Sequence, residues 1–316
     1  MSYKILVATR SFGSTSPKPW DVLNQAGCDL VRADMTQTMT EQRLIELLQG
    51  VEGAIIGVVP LTAHVLENAP SLKVVSMHGV GVDHIDLAAA ARRGVVIANC
   101  LGSNEQSVAD LTIGLMIAVA RNIPALDSKL RQGAWGAHTG TELWNKTLGL
   151  VGLGRIGRSV AKRAMGFDMH VLAYDPYVKL DDVKQGISLV SFEEVLKEAD
   201  YVSLHAGLSD ETRHMISTAQ LSIMKPTAYL INTARGALVD ESALYTALSQ
   251  KQIAGAALDV FSEEPPKGSP LLLLDNLVLT PHIGSHTCEA IERMGVMAAE
   301  NVLLVLRGSE PHHRVV

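Results

Sequence analysis

The stretch LVGLGRIGRSVAKRA, residues 150–164, decides the fold. Its apolar start reads as the end of a strand and its mixed second half as a helix, with Gly152, Gly154 and Gly157 spelling G-x-G-x-x-G at the join. The first glycine permits a tight turn, the second lets a backbone approach a pyrophosphate, and the third lets the helix pack close to its strand. Unpaired amides and the positive end of the helix dipole then face an anion. Alone, the spacing reads equally well as a plain tight turn. The next strand, MHVLAYDP, carries Asp175, 18 positions after Gly157. An acidic residue about 20 positions on is the one that meets the adenosine ribose of a dinucleotide. Together these features point to NAD rather than NADP, because a carboxylate accepts from a 2′-hydroxyl and repels a 2′-phosphate. Within the loop, Arg155 offers charge to the pyrophosphate or is a solvated surface residue, and Ile156 carries the turn into the helix.

The same alternation extends in both directions. Downstream come HVLAYD, YVSLHA, AYLINTA, GAALDV and LVLTPH, and upstream KILVAT, CDLVRA, GAIIGVV, LKVVSMH and VVIANC. Continuous apolar strands separated by amphipathic helices predict α/β architecture, with parallel sheets covered on both faces. In TMTEQRLIELLQG, Thr38 and Glu41 read as a capping box, Leu44, Leu47 and Leu48 as one apolar face, and Gly50 as the stop. A long helical region runs from about Asn104 to Arg131, apolar on most sides in VADLTIGLMIAVA, as in a helix buried between elements or subunits. A last helix spans about Ser285 to Arg307, and PHHRVV reads as a loose end or a marginal strand.

The length of 316 residues suits about two domains. With 47% apolar and 19% charged residues the chain is globular rather than disordered. The net charge of −6 is spread without a basic block, which argues against nucleic acid as a partner. Cys28, Cys100 and Cys288 form no C-x-x-C, as expected of packing thiols in a reducing compartment. The opening MSYKILVATR enters a strand directly, and the apolar runs are too short for a bilayer, so neither secretion nor a membrane is expected and the cytoplasm is the expected location.

Outside the glycine loop, HGVGVDHID carries Gly79 and Gly81 but no third glycine, so it reads as a loop facing a small ligand or as a simple turn. Arg235, Glu264 and His282 each follow a predicted strand of the second α/β unit, where ligands of such sheets bind. Taken singly, each has a plainer reading: a surface ion pair, a solvated turn residue, a satisfied core histidine. Arg235 is the most telling, since it interrupts the apolar LINTARGALVD and asks for an anion.

The ordered motifs GLGRIGRSVA, INTARGALVDESAL, DVFSEEPP and PHIGS, with NEQSVADLTIGLMIAVAR ahead of them, resemble the D-2-hydroxyacid dehydrogenase family over nearly the whole chain. The resemblance implies a Rossmann NAD-binding domain, residues 102–284, inserted in a flavodoxin-like substrate domain, residues 1–101 and 285–316. It implies that Arg235 binds the substrate carboxylate, that His282 is the acid–base group and that Glu264 holds the imidazole. It also implies that His205, Thr233 and Asp259 border the cofactor, that Asn104 and Ser107 lie where the family contacts substrate or nicotinamide, and that Val80 and Gly81 fall on the first-domain loop that closes over the substrate. Family habit implies a homodimer. The opening ATRSFGSTSP resembles members assigned as phosphoglycerate dehydrogenases, which implies 3-phosphoglycerate as substrate, Arg10 as a phosphate-binding cation and a place at the head of serine synthesis. Against that, Met77 and His78 stand where such members carry arginine nearby, leaving hydroxypyruvate or glyoxylate reduction as the alternative. Gly207 replaces the usual proline of the LHAGL loop. Two rivals are a metal enzyme built on His282 and His286, and an NAD-sensing binding protein like the corepressors that resemble this family.

Overall fold

The computed structural model describes residues 2–316 and divides into two compact units, one of residues up to Asn104 with Ser285–Val316, the other Glu105–Gly284. In the first unit β1 (Lys4–Ala8), α1 (Lys18–Gln25), β2 (Asp29–Arg32), α2 (Glu41–Leu47), β3 (Gly53–Ile56), α3 (Ala63–Glu67), β4 (Val74–Met77), α4 (Leu87–Arg93) and β5 (Val96–Ala98) alternate. The strands form a parallel sheet in the order β2-β1-β3-β4-β5, the doubly wound order of flavodoxin-like folds. Alternation along each strand feeds two cores. Leu6, Ile56 and Val75 meet Leu44, Leu66 and Ala90 on one face, while Ile5, Ile55 and Val74 meet Leu23, Met294 and Val302 on the other. The chain's last helix returns to this unit, and the PHHRVV tail is not loose. Ala98 bridges Arg314 antiparallel, and the Val315 N–H donates to the Ile97 carbonyl at 2.7 Å, so the tail pairs along β5.

The second unit opens with α5 (Glu105–Ala120) and α6 (Ile123–Arg131), followed by β6 (Thr147–Val151), α7 (Arg155–Ala164), β7 (His170–Tyr174), β8 (Ile187–Leu189), α8 (Phe192–Glu198) and β9 (Tyr201–Leu204). Then come α9 (Thr218–Ile223), β10 (Tyr229–Asn232), α10 (Glu241–Ser249), β11 (Gly255–Leu258) and β12 (Leu277–Leu279), before α11 (Cys288–Leu306) in the first unit. The seven parallel strands run β12-β11-β10-β9-β6-β7-β8. Strand order reverses at β6, and in such sheets ligands lie beyond the carboxyl ends of the strands at that reversal.

One local expectation needs correction and another is made more specific. The cap of α2 is Thr40, whose hydroxyl accepts the Arg43 N–H, and not Thr38, because Thr40 immediately precedes the first helical turn. The helical region expected over about 104–131 consists of two helices, bent by 63°. Asn122 adopts a left-handed φ of 52°, and Pro124 at the start of α6 has no N–H to carry the first helix onward. Among the described residues no single helix is long and apolar enough to cross a membrane.

Candidate active site

The loop after β6 is a backbone surface. Gly152 has φ 99°, and a Cβ there would sit 2.7 Å from the His205 carbonyl; a Cβ on Gly157 would sit 2.2 Å from the Gly152 carbonyl oxygen. These two glycines are fixed by close packing. Gly154 differs, since a Cβ there would meet nothing within 4 Å, so the second glycine leaves open space before the first turn of α7. Arg155 and Ile156 begin that turn, Arg155 exposed and Ile156 partly buried. At the end of β7 the Asp175 carboxylate is locked in place, accepting the Leu153 N–H at 2.8 Å and the Tyr177 N–H at 2.9 Å. Each oxygen keeps a lone pair for a further donor. His205 packs under the loop, its Nε2 2.9 Å from the Ser203 hydroxyl, and burial lowers its pKa to about 4, so it is neutral. This cradle fits NAD: open backbone at the helix dipole for a pyrophosphate, and a fixed carboxylate at the adjacent strand end.

The ends of β10, β11 and β12 carry side chains instead. Asp240 caps α10 by accepting the Ser242 and Ala243 N–H groups, which anchors the far side of the Arg235 turn. Gly236 follows Arg235 with no room for a side chain, since a Cβ would lie 1.9 Å from the Phe261 carbonyl carbon. The 232–236 turn and the 259–264 loop therefore pack backbone against backbone. Glu264 is held by the Phe261 N–H on Oε1 and by His282 Nδ1 on Oε2, at 3.1 Å and 2.7 Å. That bond leaves the other imidazole nitrogen, Nε2, to face a ligand.

His282 sits at φ 52°, a strained backbone for a residue with a side chain. The strain is held by Asp259, 1% exposed, whose Oδ1 accepts the Thr280 hydroxyl and the Ile283 N–H while Oδ2 accepts the Gly284 N–H. The Asp259 carbonyl also accepts the His282 N–H at 2.8 Å. The hydrogen bond to Glu264 raises the His282 pKa; burial opposes it, and the charges of Glu264 and Asp259 add to it. Burial pushes the Glu264 carboxyl up, but the bonds from His282 and Phe261 and the charges of His282 and Arg235 outweigh it and hold it below the usual value. Arg235 thus acts electrostatically on both members of the pair. A carboxylate-paired imidazole beside a guanidinium at strand ends is suited to moving a proton next to a bound anion.

The other expected residues are placed as follows. Thr233 is buried, its hydroxyl 3.0 Å from that of Thr112 on α5. Ser107 donates to the Gly284 carbonyl at 2.7 Å, so its hydroxyl serves the turn that carries His282. Val80, Gly81 and Asn104 belong to the first unit, where the Val80 carbonyl accepts from Asn99. Met77 and His78 are buried there, and burial lowers the His78 pKa to about 4. Arg10 donates through Nε and Nη2 to the Met35 carbonyl. His282 and His286 gain no further ligand: among the described residues no three of His, Cys, Asp and Glu are gathered as a metal site. Sequence reasoning missed Asn232, Thr112 and Thr280; a polar residue closing an apolar strand, as in LINT, is the signal that marks the first.

The sequence matches the family described as D-isomer specific 2-hydroxyacid dehydrogenase, NAD binding domain, over residues 113–284. It is 45% identical to D-3-phosphoglycerate dehydrogenase of Methanocaldococcus jannaschii over 85% of this chain, but spans only 52% of that enzyme's length. It is 44% identical to glyoxylate reductase of Korarchaeum cryptofilum, covering 81% of this chain and 80% of that one. A crystal structure of a protein from Thermus thermophilus superposes with a TM-score of 0.91 at 41% identity, covering 99% of this chain and 100% of that one.

Proposed function

We propose a reaction for a chain that belongs to the D-isomer specific 2-hydroxyacid dehydrogenase family and has NAD as its cofactor: it interconverts a D-2-hydroxy acid and the matching 2-keto acid. The observation that carries this reading is the 2.7 Å His282–Glu264 pair beside Arg235 at the strand ends. NAD, when bound, accepts the hydride leaving C2. Arg235 grips the substrate carboxylate, for which a planar guanidinium offers two parallel hydrogen bonds. His282 takes the hydroxyl proton at Nε2 during oxidation and returns it to the carbonyl oxygen during reduction. Glu264 keeps Nδ1 protonated and stabilises the imidazolium, and Asp259 holds the turn that aims the ring. Gly152, Gly154, Arg155, Ile156 and Gly157 hold the pyrophosphate, Asp175 the adenosine ribose, and His205 and Thr233 line the cofactor side, while Val80, Gly81 and Asn104 supply substrate contacts.

For the substrate, 3-phosphoglycerate and phosphohydroxypyruvate come first, supported by the M. jannaschii relative, with Arg10 as the cation this reading requires. Hydroxypyruvate or glyoxylate reduction is the second reading. The K. cryptofilum relative favours it, as does Arg10, whose guanidinium is committed to a backbone carbonyl. A panel of phosphohydroxypyruvate, hydroxypyruvate, glyoxylate and pyruvate with NADH, followed by loss of NADH absorbance, decides between them. No turnover of any of the four by protein that binds NADH would favour the sensor reading.

The partner we assign is a second copy of the chain. No residue of α6 is buried, and Ile123, Leu130 and Trp135 stand 48%, 56% and 93% exposed, an apolar surface that association would cover. Light scattering that finds only monomer at all concentrations would refute this. The cytoplasmic assignment agrees with three unpaired cysteines.

A further inference from the structure

Arg235 is reached from β10 through a short turn whose shape depends on one buried side chain. Asn232, 1% exposed, ends the strand. Its Oδ1 accepts the Ala234 N–H at 3.0 Å, and its Nδ2 donates to the Arg235 carbonyl at 2.8 Å. The carboxamide therefore spans the Ala234–Arg235 link from beneath, with acceptor and donor both used. The turn has two other supports. The Thr233 hydroxyl meets Thr112, which reaches the Val108 carbonyl at 2.8 Å, and Gly236 lies directly on the backbone of Phe261 and Ser262.

These supports do different work. The threonine pair and Gly236 hold residues on either side of Arg235, whereas Asn232 holds its own peptide carbonyl at 2.8 Å, shared with the Leu238 N–H at 3.2 Å, and is the one side chain among the bonds described above to do so. Aspartate at this position would still accept the Ala234 N–H but would set an oxygen against the Arg235 carbonyl. Leucine, of similar volume, would take the carboxamide acceptor from the Ala234 N–H and leave the Arg235 carbonyl held by the longer Leu238 N–H bond, and a lost hydrogen bond under a turn is costly. A bidentate grip on a carboxylate tolerates a misplacement of only about 0.5 Å.

We propose that Asn232 is a positioning residue for substrate binding: its carboxamide fixes the turn that presents the Arg235 guanidinium to the carboxylate of the 2-keto acid. This rests on the role of Arg235 given under the proposed function.

The test uses the full chain with NADH, comparing wild type, Asn232→Asp, Asn232→Leu, Arg235→Ala and the double variants. NADH affinity is read by fluorescence, and the affinity of the NADH complex for oxamate, an unreactive 2-keto acid analogue, by titration. Glyoxylate supplies KM and kcat, and melting temperature reports folding. Asn232→Asp is expected to weaken oxamate binding and raise KM about tenfold, the loss of roughly one hydrogen bond's worth of alignment. Its NADH affinity should stay within about twofold, since the partners of Asn232 lie in the Arg235 turn and not in the glycine loop. In the Arg235→Ala background either Asn232 change should add less than about twofold, because a residue that acts through Arg235 has nothing left to position. Wild-type oxamate affinity in Asn232→Asp would overturn the proposal, as would a full additive loss in the double variant or parallel loss of NADH binding. Should Asn232→Leu fail to fold, Asn232→Asp alone decides. Wild-type protein that binds NADH but neither binds oxamate nor reduces any 2-keto acid would instead overturn the reading of Arg235, and this proposal with it.

Discussion

The loop after β6 and the loops after β10, β11 and β12 present opposite kinds of surface. After β6 the chain has removed side chains: Gly152 and Gly157 are packed too tightly to carry one, and Gly154 leaves space in front of a helix. After the other three strands it has built side chains up: Arg235, Glu264 and His282 stand on turns fixed by buried polar groups, Asp259 foremost. A backbone surface suits a large, constant ligand recognised by phosphates, since amides and a helix dipole need no aiming. Proton transfer needs single atoms aimed to within a fraction of an ångström, which requires locked side chains. On the proposed assignment, binding and chemistry should be open to separate damage.

The sharpest break should come from His282→Ala. If the side-chain surface alone does the chemistry, keto-acid reduction falls on the order of a thousandfold while NADH affinity changes less than about twofold. Parallel loss of NADH binding would show the two surfaces to be one. Next in size, the glycines should divide between themselves. Gly157→Val is expected to lower the melting temperature and lose NADH together, because its Cβ collides with the Gly152 carbonyl. Gly154→Val should leave the melting temperature within a few degrees and weaken NADH about a hundredfold, by standing where the backbone must meet the pyrophosphate. Equal melting losses would erase the distinction between packing and access. Asp175→Ser should cut the preference for NADH over NADPH about tenfold, measured as the ratio of the two kcat/KM values.

The smallest effect is a shift in pH. With His282 as the proposed acid, reduction would need it protonated, and its pKa lies above the ordinary histidine value, chiefly through the hydrogen bond to Glu264. The rate is then expected to be full below that pKa and to be lost as pH rises through it. Glu264→Gln removes the carboxylate, so the alkaline limb should move to lower pH and the rate near neutrality should fall several-fold. An unmoved limb would mean that another group governs it.

Much of the architecture was legible because strands and glycines act locally. Continuous apolar runs marked the strands of both sheets, and the glycine spacing of residues 152–157 marked the turn from β6 into α7. Among the candidate site residues, Arg235 stood out by being out of place in an apolar run, whereas Glu264 and His282 were marked by their strand-end positions and by the family resemblance. What stayed hidden depends on contacts distant in sequence. Nothing in LTPHIG shows that His282 takes a left-handed backbone, because the restraint comes from Asp259, more than twenty residues earlier. Likewise nothing in NEQSVAD shows that the Ser107 hydroxyl is bonded to Gly284, far along the chain. The break between α5 and α6 did have a signal, Asn122 followed by Pro124, which the apolar run beside it outweighed.

The pairing of residues 313–316 along β5 also bears on how the molecule behaves in company. An open strand edge is a row of unmet N–H and C=O groups, and another chain can extend the sheet there. The first unit's sheet has two such edges. On β5 the edge is covered by its own tail, with bonds linking Ile97 to Val315 and Val316 and Asn99 to His313. On β2 it is guarded by exposed Asp29 and Arg32, charges that a stacking strand would have to desolvate. One edge is closed by hydrogen bonding and the other by charge, two different obstacles to a copy of the chain extending this sheet.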